Sequence, residues 1–70
     1  MALETRGPYH PGSVWYVHAD GHALPGHVEL LDGRYRVHAG GMRGLPWPPF
    51  HSLEAAARAL ADFHATHPPT

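Results

Sequence analysis

The residues of this chain best equipped for chemistry are its histidines and arginines. Eight of its 70 residues are histidine. Two of these, His27 and His38, lie symmetrically about Asp32-Gly33, the dipeptide favoured in a two-residue type I′ hairpin turn because both central positions need positive φ. If the flanking runs pair about that turn, the Cβ atoms of His27 and His38 lie roughly 5 Å apart. Two imidazole nitrogens at that separation can share Zn²⁺ or Ni²⁺, with His18 or Glu29 as a third ligand. The metal set read from the sequence is therefore His27, His38 and His18. It lacks the H-E-x-x-H or H-x-x-E-H spacing of zinc enzymes. The alternative for the same rings is a solvated sheet face with no cofactor.

All five basic residues are arginine, set against six acidic ones for a net charge of −1. Arg34, Arg36 and Arg43 fall on or just after the hairpin and could reach phosphates or base edges in a sheet-type DNA reader. A near-neutral chain, however, lacks the positive footprint on which nucleic-acid affinity rests. Catalysis has less support. There is no cysteine. Ser13 and Ser52 are the only serines, and Asp20-Gly21-His22 puts an acid and a base in one loop without a nucleophile. The chain is expected not to be an enzyme.

Three elements must position these side chains. The first is the hairpin Val28–Ala39, VELLDGRYRVHA, whose turn pairs Leu31 with Arg34, Leu30 with Tyr35, Glu29 with Arg36, Val28 with Val37 and His27 with His38. One face then carries Val28, Leu30, Tyr35 and Val37, and the other His27, Glu29, Arg34, Arg36 and His38, with Glu29 and Arg36 as a cross-strand ion pair. The second is Val14–Ala19, VWYVHA, a strand by its β-branched and aromatic content, with Trp15, Val17 and Ala19 inward and Tyr16 and His18 outward. The third is the helix Ser52–Ala65. At about 100° per residue, Leu53, Ala56, Ala57, Leu60, Phe63 and His64 share one side, and Glu54, Arg58 and Asp62 lie opposite as i,i+4 partners. Ser52 is its N-cap, and Pro68 and Pro69 end it.

The predicted fold is α+β: a three-stranded antiparallel sheet followed by one C-terminal helix packed on one face, βββα. Residues 1–12 read as a flexible or draped arm, 13–67 as a single domain and 68–70 as a tail. Asp20–Gly26 reads as a loop too long for a tight hairpin. Leu45–Phe50, LPWPPF, reads as a polyproline-like run in which Trp47 either closes the core or forms an exposed docking ledge. No run approaches the ~18 apolar residues of a membrane helix, so a cytoplasmic chain without membrane contact is expected.

Gly33-Arg34-Tyr35 followed by Phe50-His51-Ser52-Leu53-Glu54-Ala55-Ala56 resembles the strand-into-helix passage of integrase arm-type DNA-binding domains. Ser52-Leu53-Glu54-Ala55-Ala56 resembles the helix start of HicB-type antitoxins. Each likeness covers less than half the chain and implies a shared sheet-then-helix architecture. The functional expectation is a small binding module that docks on a protein partner through Tyr16, His18, His27, Glu29, Arg34, Arg36, His38, Arg43 and Trp47. Size and composition, with arginine in place of lysine and abundant Ala, Gly and Pro, suit an accessory or inhibitor of the anti-CRISPR type, encoded by a phage or mobile element. The further partner expectations are nucleic acid and a second copy paired at a strand edge.

Overall fold

A computed structural model describes residues 2–9, 12–39 and 48–66. Its elements in chain order are β1 (Leu3–Tyr9), β2 (Val14–Ala19), β3 (His22–Ala23), β4 (His27–Leu31), β5 (Arg34–His38) and α1 (Leu53–Thr66). The architecture is α+β, an antiparallel sheet with one C-terminal helix, but the sheet has five strands rather than three. Its order is β1-β2-β4-β5, with β3 also paired to β2.

The first added strand comes from the segment expected to be an arm. Leu3 and Thr5 alternate with Glu4 and Arg6, and the pairs Leu3↔Ala19, Glu4↔His18, Thr5↔Val17 and Arg6↔Tyr16 bind the segment along the whole of β2. The second comes from the expected loop. Asp20 and Gly21 take φ of 51° and 84°, and Ala19 pairs with His22 across them, so the chain reverses on a tight Asp-Gly turn. Strands β3 and β4 then lie along the same edge of β2, pairing with its C-terminal and N-terminal ends on either side of the break at Leu24–Gly26.

The β4–β5 hairpin turns on Asp32 and Gly33 at φ of 53° and 75° and has the expected five pairs in register. Helix α1 is capped by Ser52, whose Oγ accepts from the Ala55 N–H at 3.1 Å. The helix lays Ala56, Ala57, Leu60 and Phe63 against Val17, Val28 and Ala39, with Leu24, Tyr35, Val37, Phe50 and Leu53 around them. Alanines let the helix axis approach the sheet closely, so a single thin layer suffices for a chain this small. His64, on the edge of the stripe, donates from Nε2 to the Pro25 carbonyl at 2.8 Å and so ties the helix end to the break between β3 and β4. The pairing expected among Glu54, Arg58 and Asp62 does not form; among the described residues the Arg–carboxylate ion pair is Arg6–Glu4, and His38 contacts Glu29.

Candidate functional site, the open face of the sheet

With the helix on one face, the other face of the sheet is left to solvent, and strand parity dictates what it carries. Tyr16 and His18 on β2, His27 and Glu29 on β4, and Arg34, Arg36 and His38 on β5 project on the side opposite Val17, Val28 and Val37. Strand β1 adds Glu4 and Arg6, directly opposite His18 and Tyr16.

Tyr9 joins them through a bulge. By simple alternation it would share the inner face with Leu3 and Thr5. The register shifts between Arg6 and Tyr9, however, so that Gly7 and Pro8 together oppose Trp15, and Tyr9 pairs with Val14. The extra residue inverts the parity and turns Tyr9 outward. Gly7 is required at this bulge: its φ is +148°, and a Cβ there would sit 2.7 Å from the Val14 carbonyl oxygen and 3.0 Å from Cδ1 of Trp15.

The result is a row of rings crossing four strands. Tyr9 and Tyr16 have centroids 5.4 Å apart, Tyr16 and His27 6.3 Å, and His27 and His38 4.6 Å. Tyr9 is 49% and Tyr16 44% exposed, and Leu31 at the hairpin tip, 46% exposed, adds an apolar end beside Arg34. The two imidazoles stack with planes 18° apart, face against face. Burial first, then the neighbouring His38, hold the His27 imidazole below its ordinary pKa, with Glu29 pulling the other way.

The expected Glu29–Arg36 ion pair is replaced by a diagonal hydrogen bond. Oε1 of Glu29 lies 3.2 Å from Nε2 of His38, so the carboxylate is engaged by the imidazole while the directly opposed guanidinium stays in solvent. Arg34 and Arg36 have no hydrogen-bond or ion-pair partner among the described residues, whereas Arg6 is held by Glu4 at 3.3 Å. The free charge on this face is therefore guanidinium.

Of the proposed metal ligands, His27 and His38 come together and His18 does not; its Nδ1 is buried without a hydrogen-bond partner among the described residues. No group of three or more His, Cys, Asp or Glu side chains assembles for a metal among those residues. Arg43 and Trp47, also placed in the site from sequence, lie outside the described residues. Sequence reasoning missed Tyr9, Glu4, Arg6 and Leu31. The signal for Glu4 and Arg6 was the short alternation at Leu3–Arg6; no local signal marks the parity of Tyr9. No described helix is long and apolar enough to cross a membrane. Compared with known proteins, the chain matches no family model, no curated protein and no solved structure.

Proposed function

We propose that the chain is a non-enzymatic binding module that docks on a protein partner through the open face of its sheet. The supporting observation is the ring row Tyr9–Tyr16–His27–His38, solvent-facing and flanked by the unpartnered guanidinium groups of Arg34 and Arg36. Tyrosine and arginine are the residue types enriched where protein interfaces concentrate their binding energy. The rings are held by a packed sheet, so little side-chain entropy is lost on contact. The complementary partner surface is an apolar patch with carboxylates placed to meet Arg34 and Arg36. An accessory or inhibitor protein that works by occlusion needs no more than this.

The test is affinity capture from the native host lysate with mass spectrometry, run in parallel on wild type, Tyr16→Ala and Arg36→Ala. A protein retained by wild type and weakened about tenfold or more by Tyr16→Ala supports the reading. Capture indifferent to both substitutions refutes it. A salt-dependent gel shift addresses the competing reading, a sheet that contacts nucleic acid through Arg34, Arg36 and Arg43. Binding that falls steeply with salt and depends on Arg36 would place nucleic acid ahead of a protein partner.

A further inference from the structure

The two edges of the sheet are finished differently. At β5 the edge is covered at Tyr35, whose N–H donates to the Phe50 carbonyl at 2.9 Å while the Phe50 N–H donates back to the Tyr35 carbonyl at 2.8 Å. At β1, among the described residues, no further strand follows in the sheet order. The second half of β1 is blunted by the Gly7-Pro8 bulge, since proline has no N–H to offer. The first half is not. Asp20 donates its N–H to the Ala2 carbonyl at 2.9 Å. Alternation from that bond through Leu3↔Ala19 turns the peptide groups of Glu4 and Arg6 toward β2 and those of Leu3 and Thr5 outward.

We propose that this edge pairs with a second copy of the chain, antiparallel about a two-fold axis at Thr5, to make one continuous sheet. The geometry selects both the axis and the register. Thr5 presents its N–H and C=O outward, so Thr5 against Thr5 of the second copy forms the closely bonded type of antiparallel pair. The flanking pairs are then Glu4 against Arg6 of the second copy and Arg6 against Glu4 of the second copy. These are non-hydrogen-bonded pairs, in which side chains sit closest and opposite charges attract most. An axis at Glu4 would set two carboxylates face to face. The isologous contact therefore has one charge-matched register.

Beneath the edge lies an open groove of about 490 Å³ lined by Leu3, Thr5, Leu53, Glu54 and Arg58. A two-fold axis normal to the sheet brings the two grooves together. Both ring rows then lie on one side of the joined sheet. The ladder stops at the Gly7-Pro8 bulge, so the contact is short and the dimer belongs with weak, concentration-dependent associations.

Sedimentation equilibrium of the full chain up to millimolar concentration tests this. Wild type is expected to move from 7.7 kDa toward twice that mass. Glu4→Arg is expected to weaken association about tenfold or more, because two symmetric attractive pairs become repulsive. The double variant Glu4→Arg/Arg6→Glu restores it. Thr5→Pro removes an N–H that β2 does not use, so its far-UV circular dichroism stays that of wild type while association is lost. A monomer at every concentration, a dimer indifferent to Glu4→Arg or Thr5→Pro, or failure of the double variant to recover overturns the proposal.

Discussion

Leu60→Ala tests the packing that presents the open face. Leu60 is the largest of the fully buried side chains, at 0% exposure, and it meets the sheet where Val17 and Val28, also at 0%, come up to the helix. Truncating a leucine in such a site costs about 3–5 kcal/mol, the upper end applying where the surroundings cannot collapse into the gap. Here they are strands braced on both sides and a helix already in close contact through alanine. A 70-residue domain at about 0.05–0.15 kcal/mol per residue holds only about 4–10 kcal/mol in total. The substitution therefore removes between a third and all of the stability. With a urea m-value of about 1 kcal/mol/M, the midpoint falls by about 3 M, or the variant is unfolded in buffer. Circular dichroism followed through a urea titration reads this directly. Tyr16→Ala, on the opposite face and 44% exposed, should cost no more than about 1 kcal/mol in the same assay. A Leu60→Ala variant within about 1 kcal/mol of wild type, or a Tyr16→Ala variant as damaged as Leu60→Ala, would refute the assignment of the two faces.

Three further outcomes are expected. Gly7→Ala should destabilise by about 2 kcal/mol or more, because the new Cβ meets the Val14 carbonyl at 2.7 Å and the residue must also hold φ of +148°; an unchanged melting temperature would contradict the bulge. His27 is depressed below its ordinary 6.5 by burial and by His38. The unfolded chain thus takes up the proton first, and the stability linked to His27 is present above pH 6.5 and lost as pH falls through the folded-state pKa. His27→Gln should flatten the dependence of the urea midpoint on pH over the range below 6.5, and an unaltered slope would remove His27 as its source. Ser52→Ala deletes the acceptor for the Ala55 N–H and should cost about 1 kcal/mol, read as a lower urea midpoint with unchanged m; a shift below a few tenths would show that the cap is dispensable.

The parts of the fold that could be read from residues alone are those where a local rule and the tertiary contacts agree. Asp32-Gly33 dictates a turn whose twist suits the strands, and alternation on either side then leaves one register, so all five pairs of β4 and β5 follow. The helix is legible from its cap and its apolar period. The same Asp-Gly chemistry at Asp20-Gly21 was obscured because only His22 and Ala23 extend beyond it before Pro25-Gly26 interrupts. Strand β1 was obscured for a related reason: Leu3–Arg6 alternates for four residues, too few to outweigh Gly7-Pro8, and its stability comes from pairing with β2 rather than from its own propensity. The candidate site was half legible. His27, His38, Glu29 and Arg36 follow from the hairpin register, but which of them touch is decided by side-chain reach, and Glu29 selects the diagonal His38 over the opposite Arg36. Tyr9 was beyond reach, since one extra residue in a strand reverses every inward-or-outward assignment after it.

Site-specific photo-crosslinking asks whether the ring row is the docking surface. A benzophenone side chain is placed in turn at Tyr16, in the middle of the row, and at exposed Asp62, on the solvent side of the helix. Both variants are irradiated in native host lysate. If the ring row is the docking surface, position 16 gives a discrete protein adduct that is absent from position 62. An adduct from position 62 alone, or none from position 16, would contradict that assignment.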